Sequence, residues 1–228
     1  MGDLSVILPA LLRGAGVSLK VTFGAAAIGL AVAFAAGLLE LSPSRLVRGC
    51  VRFYIEFFRG TSAIVQLFFM YYILHLLGLS LAPYTVAVLA LGLNVGAYGS
   101  QIVRAAILGV DRSQREAAVA LNLTPFVAFR DVILPQAIPA MLPPFGNELI
   151  ELLKLSALVS LITLADLTWS AKTILQTIGP SHVTQVYLLV FAMYFLLAFP
   201  LTRLVAWLER QAGPRERVSR EAAWINSV

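Results

Sequence analysis

Cysteine, histidine and lysine are nearly missing from this chain of 228 residues, which holds one Cys, two His and three Lys. A lone Cys50 excludes an internal disulfide and any multi-cysteine metal site. His75 and His182 sit on separate polar edges of apolar runs, and neither His-Glu-x-x-His nor Gly-x-Ser-x-Gly occurs, so hydrolytic chemistry lacks its constellations. None of Lys20, Lys154 and Lys172 follows a glycine, which excludes the phosphate-cradling Gly-x-x-x-x-Gly-Lys-Ser/Thr loop. If ATP drives this protein, another chain hydrolyses it, and no cofactor is expected on this one.

Charge is scarce as well. Charged residues make up 13% and hydrophobic residues 59%, against roughly 25% and about 45–50% in soluble domains. That balance describes a membrane protein. A hydrocarbon core needs about 20 apolar residues per helical crossing. Five regions qualify: residues 17–39, 61–79, 83–110, a proline-broken 138–167, and 186–204. The third is amphipathic in its second half through Asn94, Tyr98, Gln101 and Arg104, which implies burial against other helices. Residues 1–16 lack the basic leading region of a signal peptide and carry Pro9, and are expected to form a retained interfacial helix. Residues 17–210 then form one transmembrane domain, and 211–228 a cytoplasmic tail.

The positive residues fix an expected orientation. Arg45, Arg48 and Arg52, then Arg104, Arg112, Arg115 and Arg130, then Arg203, Arg210, Arg215, Arg217 and Arg220 fall on one side, against Arg13, Lys20 and Lys172 on the other. The N-terminus is therefore expected outside and the C-terminus in the cytoplasm. The net charge of +5 reflects this topology, and no nucleic-acid partner follows from it.

Between two apolar regions the chain reads SQREAAVALNLTPFVAFRDVILPQ, residues 113–136. Ser113 with Glu116 three residues later fits a capping box. A short helix is expected to stop at Asn122, since Asn follows Gly as an occupant of the left-handed conformation. Thr124 with Pro125 offers a second helix start, with an end expected near Leu134 and Pro135. Small Ala117, Ala118 and Ala120 between Glu116, Arg115 and Arg130 suit docking into a protein groove. A helix resting on lipid headgroups is the competing reading, although such anchors present a larger apolar face.

EAAVALN followed by FRDVILPQA resembles the EAA motif of permease subunits of bacterial ATP-binding-cassette importers. FFRGTSAIVQLFFMYY, LNVGAY and PFGNELIELLKLSALVSLI extend the likeness toward the polar-amino-acid branch, over roughly residues 15–210. The resemblance implies an all-α type I importer (MetI-like) fold with five transmembrane helices and a cytoplasmic coupling helix. It also implies the partners: ATPase subunits carrying ATP and Mg, a second permease subunit (identical or homologous), an extracytoplasmic substrate-binding protein, and membrane lipid. Glu116, Ala117, Ala118, Asn122 and Arg130 would couple to the ATPase. The chain departs from the family where Asn122 replaces Gly, and where Lys154, Leu155, Ser156, Ala157 and Leu158 replace Lys-Asp-Thr-Ser-Leu. KLSALVSLITLADL is similar to ectoine and hydroxyectoine permeases.

Two polar clusters are candidates for the substrate path. Pro139, Pro143, Pro144 and Gly146 should interrupt the fourth region, with Asn147 capping a new helix. Along it Glu148, Glu151 and Lys154 recur every three residues on one broad face, with Ser156 beyond. Ionisable groups at membrane depth are costly enough to be kept only if paired, wet or useful. A structural Glu151–Lys154 pair and a path role stand equal. Arg59, Thr61, Ser62 and Gln66 form the other cluster, where Glu56 and Arg59 are spaced to neutralise each other. Facing clusters would line a gate and cavity at the subunit interface. An ion-coupled secondary transporter or channel is the alternative, and an intramembrane enzyme lacks a nucleophile and base at reachable spacing.

Overall fold

A computed structural model describes residues 2–212, with side chains described from residue 7 to 211. The expected tail, with Arg215, Arg217 and Arg220, lies outside the described residues apart from its first two positions. Eight helices carry the fold: α1 Gly2–Leu39, α2 Arg45–Gly60, α3 Ala63–Leu76, α4 Pro83–Leu108, α5 Arg112–Ala120, α6 Leu134–Leu155, α7 Leu167–Ile178 and α8 Val183–Ala212. No strand occurs among the described residues.

The packing of α1 on α4 is written in small residues. Partners advance together along both helices, Gly24 with Val88, Gly29 with Gly92 and Gly37 with Ser100, so the two run parallel. A Cβ on Gly37 would lie 2.8 Å from the Ser100 carbonyl oxygen, and one on Gly96 2.8 Å from Val32 Cβ. In lipid, burial of apolar surface no longer drives helix association, so close backbone approach and dispersion must supply it. Val21, Ala25, Val86, Ala87, Ala90 and Leu91 fill the seam.

The other contacts fix the direction of each remaining pass. Phe145 lies against Gly99, while Ala137 and Met141 pack with Val103 and Ile107, which makes α6 antiparallel to α4. Gly14 approaches Asp166 and Ser170 so closely that a Cβ there would sit 2.5 Å from Ser170 Oγ; α7 therefore runs against the first half of α1. α8 returns along both, with Val186, Val190 and Met193 on Ala171 and Ile174, and Val205 against Gly146.

The N-terminal segment corrects an expectation. Residues 2–16 are not set apart as a helix of their own but form the first turns of α1, continuous through Pro9. Ile7, Leu11 and Ala15 are buried with Leu167, Ala171 and Ile174.

Among the described residues three helices are long and apolar enough to cross a membrane, at Ile7–Leu39, Pro83–Leu108 and Pro180–Gln211. The count becomes four if α2 and α3 form one broken span, bent by 105° at Thr61 and Ser62. The second expected crossing is thus the far arm of a bent pair. A count of five would need α6, which is not among them and carries Glu148, Glu151 and Lys154. Asn147 caps nothing either, because α6 runs unbroken through Pro139, Pro143 and Pro144. A short 3-10 stretch, Ser156–Ile162, then leads through left-handed Thr163 to α7.

Candidate functional site

α4 ends at Gly109, and Asp111 starts α5. The Asp111 side chain accepts the Ser113 N–H at 2.8 Å, which holds its carboxyl below the usual carboxylate range. The expected capping box of Ser113 and Glu116 does not form, because the carboxylate two residues earlier takes the free donor first. Glu116 instead accepts from Arg112 Nε at 2.8 Å. Arg115 turns back onto α4, where its Nη2 donates to the Ile107 carbonyl at 2.6 Å.

The helix stops where the sequence says it should. Asn122 has φ +54°, its N–H donates to the Val119 carbonyl at 2.9 Å, and the Leu123 N–H donates to the Ala118 carbonyl at 3.0 Å. These two bonds are a Schellman closure, which a left-handed residue at this position permits. Thr124 Oγ1 then accepts the Val127 N–H at 3.4 Å, with Pro125 opening the next turn. The second arm does not end at Pro135. It passes through a π-helical turn, Ala128–Ile133, directly into α6, with Pro135 at the junction.

Side-chain exposure on the elbow differs from the alanine-lined picture. Ala118 is buried, whereas Ala117 and Ala120 are exposed. Val119, Leu121 and Phe126 project with 76%, 72% and 69% of their surface exposed. The Arg112–Glu116 pair flanks these apolar knobs on α5, and Arg130 makes a two-pronged pair with Asp131 at 2.7 and 3.3 Å on the other arm. Gln136 Nε2 donates to Gln114 Oε1 at 3.4 Å and holds the arms together. Three large apolar side chains exposed on one short elbow, with ion pairs on both arms, are the kind of feature that marks an interaction surface.

The polar clusters deeper in the bundle are organised in two ways. Gln66 is buried, and its Nε2 donates to Thr61 Oγ1, the Phe58 carbonyl and the Thr61 carbonyl at 2.7, 2.8 and 3.2 Å. Its Oε1 accepts from Asn94 Nδ2 at 3.0 Å. These bonds satisfy carbonyls freed by the bend and hold it against α4. Arg59 does not pair with Glu56; its guanidinium lies 5.3 Å from the Tyr98 ring centre, where the ring face attracts it. Lys154 Nζ donates to Glu151 Oε2 at 3.1 Å, Glu148 is partly buried, and the buried Ser156 Oγ donates to the Leu153 carbonyl at 2.7 Å. No hydrogen bond or ion pair joins the two clusters within the described residues.

Sequence reasoning missed Glu40, at the end of α1. It is 8% exposed and meets Arg52, Gln101 and Arg104. The signal available was its isolation: a single acid closing a long apolar run in a chain with 12 acids in all. Asp166, fully buried, was also missed; it caps α7 by accepting the Trp169 N–H at 2.8 Å.

Residues 27–213 match the family described as binding-protein-dependent transport system inner membrane component. The chain is 45% identical over 203 residues to the probable amino-acid ABC transporter permease protein y4tF of Sinorhizobium fredii, covering 86% of this chain and 84% of that one. It is 34% identical to the nopaline transport system permease protein NocM of Agrobacterium fabrum, over 94% of each. A solved structure described as an amino acid ABC transporter with histidines superposes with a TM-score of 0.85 at 36% identity, covering 91% of this chain and 96% of that one. The chain therefore belongs to the family of binding-protein-dependent transport system inner membrane components, as a permease subunit of the ATP-binding-cassette class.

Proposed function

We propose that this chain imports polar, zwitterionic amino acids or amino-acid-like compatible solutes such as ectoine, coupled to ATP hydrolysis through residues 113–136. The observation that carries the coupling is the elbow: a closed turn at Asn122 that presents Val119, Leu121 and Phe126 outside the apolar spans, between two ion pairs. An ATPase subunit with an apolar groove fits it, and Glu116, Ala117, Ala118, Asn122 and Arg130 position or contact that partner. The chain crosses the bilayer five times, N-terminus outside and C-terminus in the cytoplasm, with α6 and α7 together as the fourth pass. Two permease subunits, identical or homologous, enclose a path on which Arg59, Thr61, Gln66, Glu148, Glu151, Lys154 and Ser156 lie. An extracytoplasmic protein delivers the substrate. Charges of both signs suit a zwitterion, and the relatives named for amino-acid and nopaline transport support that class.

The test is uptake into proteoliposomes holding the permease, its ATPase and its binding protein. Uptake of polar amino acids or ectoine should require ATP, and Glu148→Gln, Glu151→Gln or Lys154→Met should lower it. Gradient-driven uptake by the permease alone without ATP would refute the reading.

A further inference from the structure

Glu40 occupies a place that disfavours an acid. It follows the last turn of α1, its N–H bonded to the Ala36 carbonyl at 2.9 Å, so free carbonyls surround it with negative potential. Burial adds to that, since a carboxylate withdrawn from water must be paired and hydrogen-bonded to persist. Two other helices supply what it needs. Arg52 Nε of α2 lies 3.6 Å from Oε1, Arg104 Nε of α4 lies 3.5 Å from the same atom, and Gln101 Nε2 of α4 donates to Oε2 at 2.8 Å. Arg104 Nε is buried with no hydrogen-bond partner, so this carboxylate is the group that balances it.

Each arm of the node leads to the candidate site. On α4, Ile107 lies one turn beyond Arg104, and its carbonyl holds Arg115 of the elbow at 2.6 Å. On α2, Arg59 lies two turns beyond Arg52. Its ring contact with Tyr98, together with the 2.6 Å bond from the Tyr54 hydroxyl to the Leu93 carbonyl, fastens the helix to α4 up to the 105° bend. We infer that Glu40 is a positioning residue: by clamping Arg52 and Arg104 it makes α5, α4 and α2 move as one body, so that displacement of the elbow reaches the bend at Thr61 and Ser62. The inference rests on the ATP-driven reading above.

The experiment uses the assembled transporter in proteoliposomes and reads substrate taken up per ATP hydrolysed, alongside the ATPase rate. Glu40→Gln keeps shape and an acceptor for Gln101 but removes the charge. Hydrolysis should persist while uptake per ATP falls by about fivefold or more, the low end of ordinary coupling between sites. Glu40→Asp, which keeps the charge, should recover part of the loss. Arg52→Gln releases only the α2 arm of a residue whose side chain is 55% exposed, which leaves Glu40 paired with Arg104. It should shift the ratio the same way without threatening the fold.

A wild-type ratio in both Glu40→Gln and Arg52→Gln would overturn the inference while leaving the proposed function intact. So would a parallel loss of uptake and hydrolysis in Glu40→Gln with a wild-type ratio in Arg52→Gln, since that pattern describes a merely structural role. A wild-type complex showing no ATP-driven uptake would refute the function itself, and the clamp with it.

Discussion

Replacing Asn122 separates backbone geometry from side-chain chemistry at the elbow. At φ +54° an ordinary L-residue bears roughly 1–2 kcal/mol of steric strain, which Asn tolerates and Gly escapes. Valine adds a branched Cβ that resists this conformation further. The variant Asn122→Val can hold the turn and carry the strain, or leave it and lose the bonds to the Val119 and Ala118 carbonyls, 2.9 and 3.0 Å long. Two such bonds are worth about 1–3 kcal/mol together, so either route costs on the order of 2 kcal/mol. At 1.4 kcal/mol per tenfold, the closed elbow becomes roughly 30-fold less favoured relative to open forms. Asn122→Gly should keep ATPase co-purification and ATP-driven uptake near wild type, whereas Asn122→Val should lose most of both while still inserting in the membrane. Equal ATP-driven uptake by the two variants would show that the left-handed closure does not matter for coupling.

Other perturbations probe the parts around it. Glu116→Lys replaces the Arg112 pair with like charges beside the exposed knobs, and should leave membrane insertion intact while abolishing co-purification with the ATPase; recovery at wild-type stoichiometry would count heavily against the docking reading. Gly37→Val forces a branched side chain against the Ser100 carbonyl oxygen, 2.8 Å from the nearest Cβ position. Overpacking of that kind costs about 1–3 kcal/mol, and an unchanged thermal midpoint in detergent would contradict the α1–α4 packing. Asp111 titrates below the usual carboxylate range because its charged form accepts the Ser113 N–H. The depressed folded value means that the cap is fully present above the ordinary carboxylate pKa and is lost as pH falls through the folded one. Protection of the Ser113 amide, taken against its intrinsic exchange rate at each pH, should therefore be lost only at pH below the ordinary range, and Asp111→Ala should lack it throughout.

The elbow was legible because its signals are local. A left-handed stop at Asn122 and a Thr124–Pro125 start each depend on bonds spanning five residues or fewer. The same locality misled at the first cap, where Asp111 and Ser113 are both good N-cap residues two positions apart. The outcome also redirected Glu116 from a backbone partner to Arg112, turning an expected capping residue into part of the surface. The exposed knobs were hidden for another reason. Val119, Leu121 and Phe126 look like core residues in any sequence pattern, and only the end of each helix decides which way they face.

Helix α6 carries Pro139, Pro143 and Pro144 in its interior and still stays whole. In a soluble helix an interior proline costs about 3 kcal/mol and the chain does best to break there. With α6 in the fourth pass, as proposed above, breaking it at Pro139 or Pro143 would strip several more carbonyls and N–H groups of their partners, each worth several kcal/mol with no water to replace them. On that reading continuity with isolated missing bonds is the lesser loss, in keeping with an α6 that runs unbroken from Leu134 to Leu155. The same scarcity of water explains Glu40. Its partners Arg52, Gln101 and Arg104 stand far from it in sequence but nowhere else in space, because a buried carboxylate at a helix end persists only where other helices bring cations to it. A reading by periodicity finds neither feature. Asking, for each charge and each missing donor, what satisfies it without water finds both.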